Sequence, residues 1–327
     1  MRTPLLRFTL LVLLLLAALA LAATTGSIRI GLPELTHGLL FGGSDKADII
    51  KDLRLPRIFV SVMTGAALAV SGALLQAVVR NPLADAGVIG ISAGASVFAL
   101  LMIGLFPLLY YWLPLFAFIG GALAWLLVYA LSWRSGLSPI RLVLVGIAIN
   151  ASLTGIGQLL HAMGHSSMTS VNPVTATTFS QMTWDDVKVI VLYGAIGLAL
   201  AFATSVWCNM LALQDRTARS LGLNVPRARL FVSAVAVLLA AAAASVGGLL
   251  AFVGLLVPPV ARVAVGSDYK RLLPFAALSG ALLVLLADTL GRALLAPIEI
   301  PASVIMTVIG GPVLIFLLRK SERVHGH

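Results

Sequence analysis

Charge is what this sequence has least of. Only 10% of its 327 residues are Asp, Glu, Lys or Arg, against about 25% in a soluble domain. A water-facing globular surface cannot be built from that share. Cysteine occurs once, at Cys208 inside an apolar run. That excludes an intrachain disulfide and says nothing about compartment. No G-x-x-x-x-G-K-[ST] loop occurs: the lysines are Lys46, Lys51, Lys188, Lys270 and Lys320, and none follows such a glycine run. The chain therefore has no ATP site of the P-loop type. Metal-ligand spacing is missing too. His161 and His165 are four apart, but Gly164 and a helix end intervene and no carboxylate is near, so no metal ligand is assigned. The apolar runs are almost free of the carboxylates and histidines that ion-coupled transporters use as relays. Asp288 is the main exception, and Arg292 stands four residues on, within reach along one helix face.

What is there is apolar. Hydrophobic residues make up 60% of the chain, and mean hydropathy is +1.06. Runs long enough to cross a bilayer recur from end to end, without the alternation a spanning strand would need. The fold class is all-α, a polytopic membrane protein. Expected spans are 5–24, 58–79, 88–108, 114–133, 140–161, 187–208, 230–250, 254–266, 272–294 and 301–318. The start resembles a cleavable signal, but its apolar part is long enough to span, and an uncleaved first helix is expected. The eighth span is short and carries Pro258 and Pro259. Arg2 precedes the first span and Arg7 lies in its first turn; Arg319, Lys320 and Arg323 follow the last. Both termini are thus expected in the cytoplasm, with an even number of crossings, so ten. That arrangement puts fifteen Lys and Arg inside and seven outside. The net charge of +10 then belongs to cytoplasmic loops and a lipid surface, and no nucleic-acid partner is expected. No loop is long enough for a separate domain, so residues 1–327 form a single membrane domain.

Two stretches need their own account. KDLRLPR, 51–57, puts Lys51, Arg54 and Arg57 on the outer side, against the charge bias. Snorkelling to lipid phosphates is one use for them. Capture of a carboxylate by the planar guanidinium fork is another. GISAG, 90–94, matches the serine-hydrolase pattern G-x-S-x-G, but that motif needs a strand–turn–helix setting. Read as G-x-x-x-G it lets helices approach closely in lipid. An intramembrane hydrolase using Ser92 and His161 would rest on this motif alone.

Four segments are distinctive: LRLPR at 53–57, GAALAVSGALLQAVVRNPLADAGVIGISAGAS at 65–96, GLLAFVGLLVPPVARVAVGSDYKRLLP at 248–274, and LADTLGRALLAPIEIPASVIMTVIGGPVLIFLLRK at 286–320. In that order and spacing they resemble the FecCD-type permeases, membrane subunits of bacterial ATP-binding-cassette importers for iron–siderophore complexes, haem and vitamin B12. The resemblance implies a vitamin B12-importer-like permease fold of ten spans. It implies a second permease subunit, the same chain or a paralogue, two ATPase subunits that bind the ATP and Mg²⁺, and an extracytoplasmic substrate-binding protein. It implies no enzyme activity and no cofactor in this chain, and a place in the bacterial cytoplasmic membrane. A ferric siderophore is the expected cargo, with haem or cobalamin as alternatives. One departure stands out: Pro259 occupies a position where the family commonly has His.

The resemblance also implies roles. Arg54, Arg57 and Arg292 would face outward and receive acidic groups of the binding protein. The loop 209–229 would couple to the ATPase through Asp215, Arg219, Leu221, Gly222, Leu223 and Arg227. From the residues, Asp215 is expected to cap a short helix, Gly222 to stop it, and Asn224–Pro226 to open the next. Asn150 and Gln158, eight apart on the fifth span, and Gln76 on the second are candidates for the translocation path or for interhelical hydrogen bonds. The relatives' inner gate falls at 136–139. The competing reading is an ion-coupled secondary transporter.

Overall fold

The computed structural model describes residues 2–25, 30–41, 48–132, 139–163, 179–295 and 298–325. Every regular element among them is helical: α1 (Arg2–Thr24), α2 (Leu32–Phe41), a π-helical turn (Ile50–Arg54) running into α3 (Leu55–Val79), α4 (Ile91–Leu105), a 3-10 segment (Pro107–Trp112) leading to α5 (Leu113–Ser132), α6 (Pro139–Met163), α7 (Trp184–Ala203), α8 (Ser205–Leu211), α9 (Asp215–Ser220), α10 (Val225–Gly247), α11 (Val253–Val265), α12 (Tyr269–Leu294) and α13 (Ala302–His325). Seven segments are long and apolar enough to cross a membrane, and three shorter apolar helices accompany them. Together they match the ten expected spans one for one.

Helix α3 is the centre. It packs against α12, α10, α7 and α11, and 83% of its apolar window is buried, against 11% for α6. Its sequence explains the position. Gly65, Ala66, Ala67, Ala69, Ser71, Gly72 and Ala73 give it a surface of small residues, all buried. A Cβ on Gly65 would lie 2.2 Å from the carbonyl oxygen of Gly280 on α12, and one on Gly280 would lie 2.3 Å from that of Gly65. Gly72 meets Gly254 of α11 equally closely, and Gly94 of α4 meets Gly120 of α5. In lipid, where no hydrophobic force pulls helices together, backbone approach of this kind supplies the packing. It also settles the GISAG motif: Gly94 is a packing residue. Ser92 is buried at the start of α4; the side chain of His161 lies outside the described residues.

Several boundaries differ from expectation, two of them with a clear local cause. The span expected at 187–208 begins three residues earlier, because Thr183 and Asp186 form a capping box that satisfies free amides of the first turn. It is then broken at Thr204, whose hydroxyl donates to the Ala201 carbonyl at 2.9 Å; such back-bonding competes with the helix ladder. The span expected at 88–108 shrinks to the fifteen residues of α4, about 22 Å at 1.5 Å per residue. Gly90, at φ +87°, caps it, and residues 81–90 fold as turns beneath it.

Gly65→Ala tests the central contact. Its methyl must push α3 and α12 apart, and overpacking of this kind costs about 1–3 kcal/mol. The expected result is a lowered unfolding temperature in detergent; an unchanged one would contradict the backbone-to-backbone packing.

Candidate functional site

Each end of α3 carries a polar cluster. At its start, Arg57 donates from Nε and Nη2 to Asp288 of α12, at 2.8–3.1 Å, and from Nη1 to both oxygens of Glu299 at 2.9 and 3.1 Å. Arg57 and Asp288 are 6% and 1% exposed, while the Glu299 side chain is 40% exposed. Arg292 lies 3.4 Å from Asp288, the expected pair along one helix face. Arg54 donates to the Ala23 carbonyl at 2.8 Å, and Arg292 to those of Ala22 and Thr25 at 3.3 Å. These carbonyls end α1, where the helix leaves acceptors unsatisfied and presents a partial negative charge. Two buried guanidinium groups supply what that end lacks.

This corrects the expectation for Arg54, Arg57 and Arg292. They do not face outward as free forks. A guanidinium in an apolar bundle must be paired within it, and all three are buried and bonded inside the chain. Asp288 is held between Arg57 and Arg292. Lys51 and Asp52 beside them are exposed.

At the far end of α3, the loop 209–229 folds as expected into a short helix, a turn and the start of α10. Gly222, at φ +84°, ends α9: its amide donates to the Arg219 carbonyl at 2.9 Å, and that of Leu223 to Ala218 at 3.1 Å. This is the Schellman arrangement. Asn224 caps α10 by accepting from the Arg227 amide, with Pro226 in the first turn. Arg219, Leu221, Gly222 and Arg227 are exposed, and Leu223 packs against the core. Asp215 differs from expectation. The N-cap of α9 is Gln214, and the Asp215 carboxylate instead accepts from Arg80, at the end of α3, and from Arg229 of α10 at 2.9 Å. Partial burial opposes its ionisation, but the Arg80 hydrogen bond and the charges of Arg229, Arg80 and Arg219 hold it below the usual carboxylate value.

Of the path candidates, Gln76 takes the second of its two expected uses, interhelical hydrogen bonding. It is 3% exposed, donates to the Gly254 carbonyl at 3.2 Å and accepts from Arg262 of α11 at 2.6 Å. Arg262 also donates to the Tyr269 hydroxyl, and Asn209 joins Tyr269 to Asp268. Gln76 is thus part of an interhelical network in the core. Asn150 is half-buried and Gln158 exposed on the sparsely packed α6. The gate expected at 136–139 lies at 136–138 outside the described residues; Pro139 begins α6.

Asp85 is a buried carboxyl that the sequence reading passed over, since it sits in a turn between spans. It accepts from the Gly87 amide at 3.2 Å and fills the space a Cβ on Gly254 would need. Burial pushes it up from 3.8 to about 6, against the pull of the Gly87, Ala86 and Val88 amides. A carboxyl raised in this way stabilises the fold fully below its unfolded value and loses that contribution as pH climbs through about 6.

Two outcomes follow from these sites. Arg57→Ala leaves buried Asp288 with only the longer contact to Arg292 at 3.4 Å, a loss of up to about 3–5 kcal/mol, and Arg57→Ala with Asp288→Asn recovers part of it. Thermal unfolding in detergent checks both; an unaltered Arg57→Ala protein would contradict the internal pairing. Asp85→Asn removes the acid-side gain, so its unfolding temperature rises relative to the native chain's between about pH 4 and pH 6. A pH-independent difference would contradict the burial of an ionisable Asp85.

The comparisons agree with this architecture. Two proteins named "Probable heme-iron transport system permease protein IsdF", from the RF122 / ET3-1 and MSSA476 strains of Staphylococcus aureus, are each 39% identical over 97% of this chain and 96% of their own. A solved inward-facing ABC transporter assigned to the metal-chelate type superposes with a TM-score of 0.79 at 26% identity, covering 97% of this chain and 99% of its own. PsaBC from Streptococcus pneumoniae shares the fold, with a TM-score of 0.60 at 15% identity over 88% of this chain and 95% of its own. The relatives are transport permeases and not enzymes, and a match to the family described as the FecCD transport family runs over residues 11–320: the chain belongs to that family, as a multi-pass permease subunit of an ABC transporter.

Proposed function

We propose that this permease carries an iron chelate inward, with haem ahead of a ferric siderophore or a corrinoid. The names of the 39%-identical relatives favour haem over the siderophore that the sequence alone suggested. A second permease subunit, the same chain or a paralogue, would complete the passage, with the polar residues Asn150 and Gln158 of the lightly packed α6 toward it. Two separate ATPase subunits would bind ATP and Mg²⁺. A substrate-binding protein would deliver cargo at the end where Arg57, Arg292 and Glu299 cluster. In this reading that end is extracytoplasmic and both termini are cytoplasmic.

The observation that carries the reading is the build of 209–229. A six-residue helix and a glycine-stopped turn project Arg219, Leu221, Gly222 and Arg227 outward. Exposed leucine in a loop favours a protein partner. In a chain with no P-loop of its own, a rigid exposed lever suits a soluble ATPase that drives from below.

Reconstitution with the ATPase subunits and binding protein tests this. ATP-dependent uptake of haem into vesicles is expected, and uptake driven by a proton gradient without ATP would contradict it. Uptake of a ferric siderophore but not haem would reverse the cargo. Gly222→Arg places a long side chain on the exposed turn, where no atom lies within 4 Å of a Cβ but the φ of +84° strains any side chain, so it is read against Gly222→Ala, which carries the strain alone. Import should fall at least tenfold while ATP hydrolysis continues; normal coupling would count against the lever.

A further inference from the structure

We infer that Arg80 is a positioning residue for coupling: it clamps the 209–229 lever to the central helix α3, so that displacement of α9 is transmitted to α3 directly. This rests on the reading of 209–229 as the ATPase contact.

Arg80 ends α3 in the left-handed region, at φ 55° and ψ 37°. A non-glycine residue there is strained, and glycine would be the relaxed choice. The side chain accounts for an arginine in that place. Its Nε donates to the Leu211 carbonyl at 2.7 Å, the end of α8. Its Nη2 donates to Asp215, the start of α9. One planar fork therefore straddles the connection 212–214. The oxygen of Asp215 that takes Arg80 also takes Arg229 of α10, so a single carboxylate joins α3, α9 and α10. The turn beyond Arg80 fixes its direction: the Leu83 amide donates to the Asn81 side chain, and the Ala84 amide to the Asn81 carbonyl. That turn continues to the buried Asp85 against Gly254 of α11.

The clamp is poorly placed to serve stability alone. Arg80 and Asp215 side chains are 31% and 36% exposed, and ion pairs so exposed add little to folding. What they fix is geometry. Helix α8 is held independently, by Asn209 bonded to Asp268 and Tyr269 of α12. Helix α9 buries Ala218 alone. Without Arg80, its movement reaches α10 through Arg229 and the intervening turn, with no side-chain tie from Asp215 to α3.

Arg80→Gly is the discriminating variant, because it deletes the fork while relaxing the backbone. In the complete complex with ATPase and binding protein, assembly and unfolding temperature should be retained. ATP hydrolysis should stay within about twofold, and cargo imported per ATP should fall at least fivefold. Asp215→Asn also releases Arg229, so the double variant should lower import per ATP no further than Asp215→Asn alone, as expected for one shared device. Undiminished import per ATP in Arg80→Gly would overturn the inference. So would parallel loss of unfolding temperature, hydrolysis and import, which marks a merely structural contact. Gly222→Arg separates the two ideas: normal coupling there refutes the lever itself, whereas uncoupling there with a fully coupled Arg80→Gly refutes only the clamp.

Discussion

Backbone-to-backbone contact along α3 is the constraint on which the rest of the molecule depends. Gly65 against Gly280 and Gly72 against Gly254 let two helices lie closer than any side chain would allow. In lipid that approach replaces the hydrophobic drive of a soluble core. Because α3 is surrounded by α12, α10, α7 and α11, it exposes little to the membrane and joins one end of the bundle to the other. Its 25 residues extend about 37 Å, the thickness of the hydrocarbon region and more.

A central helix of this kind must satisfy its polar ends inside the protein. At one end, Arg57 is enclosed by Asp288 and Glu299, while Arg54 and Arg292 complete the C-terminus of α1. Charges that look misplaced on a topology count are internal counter-ions. At the other end, Arg80 meets Asp215, and Gln76 meets Arg262 and Gly254. The lever and the charge cluster are thus two ends of one rod. Glu299, partly exposed, is where the inner cluster reaches the surface.

Local features were legible in the sequence. Apolar runs marked the spans, and α11 was placed to within a residue by its length and prolines. Gly222, Asn224 and Pro226 announced the turn and the following helix because caps act over three or four residues. The GISAG motif read correctly as packing because glycines four apart mark a face for close helix approach. Partners far apart in sequence were not legible. Arg57 lies 231 residues from Asp288 and 242 from Glu299, so its chemistry suggested a fork without showing what fills it. Gln76 looked like a polar residue on an apolar wall until Arg262 and Gly254 were brought beside it. Asp215 had the right residue type for a cap, and two distant arginines claimed it instead.

The central claim is that α3 and the lever move together. Cys208 is the single cysteine and is buried, so labels can be introduced at exposed Phe59, Ile147 and Arg216 with little background. Spin-label distances in the reconstituted complex, before and after ATP, test the claim most directly. The 59–216 distance should stay constant while the 147–216 distance changes. A 59–216 distance that changes as much as 147–216 would contradict it.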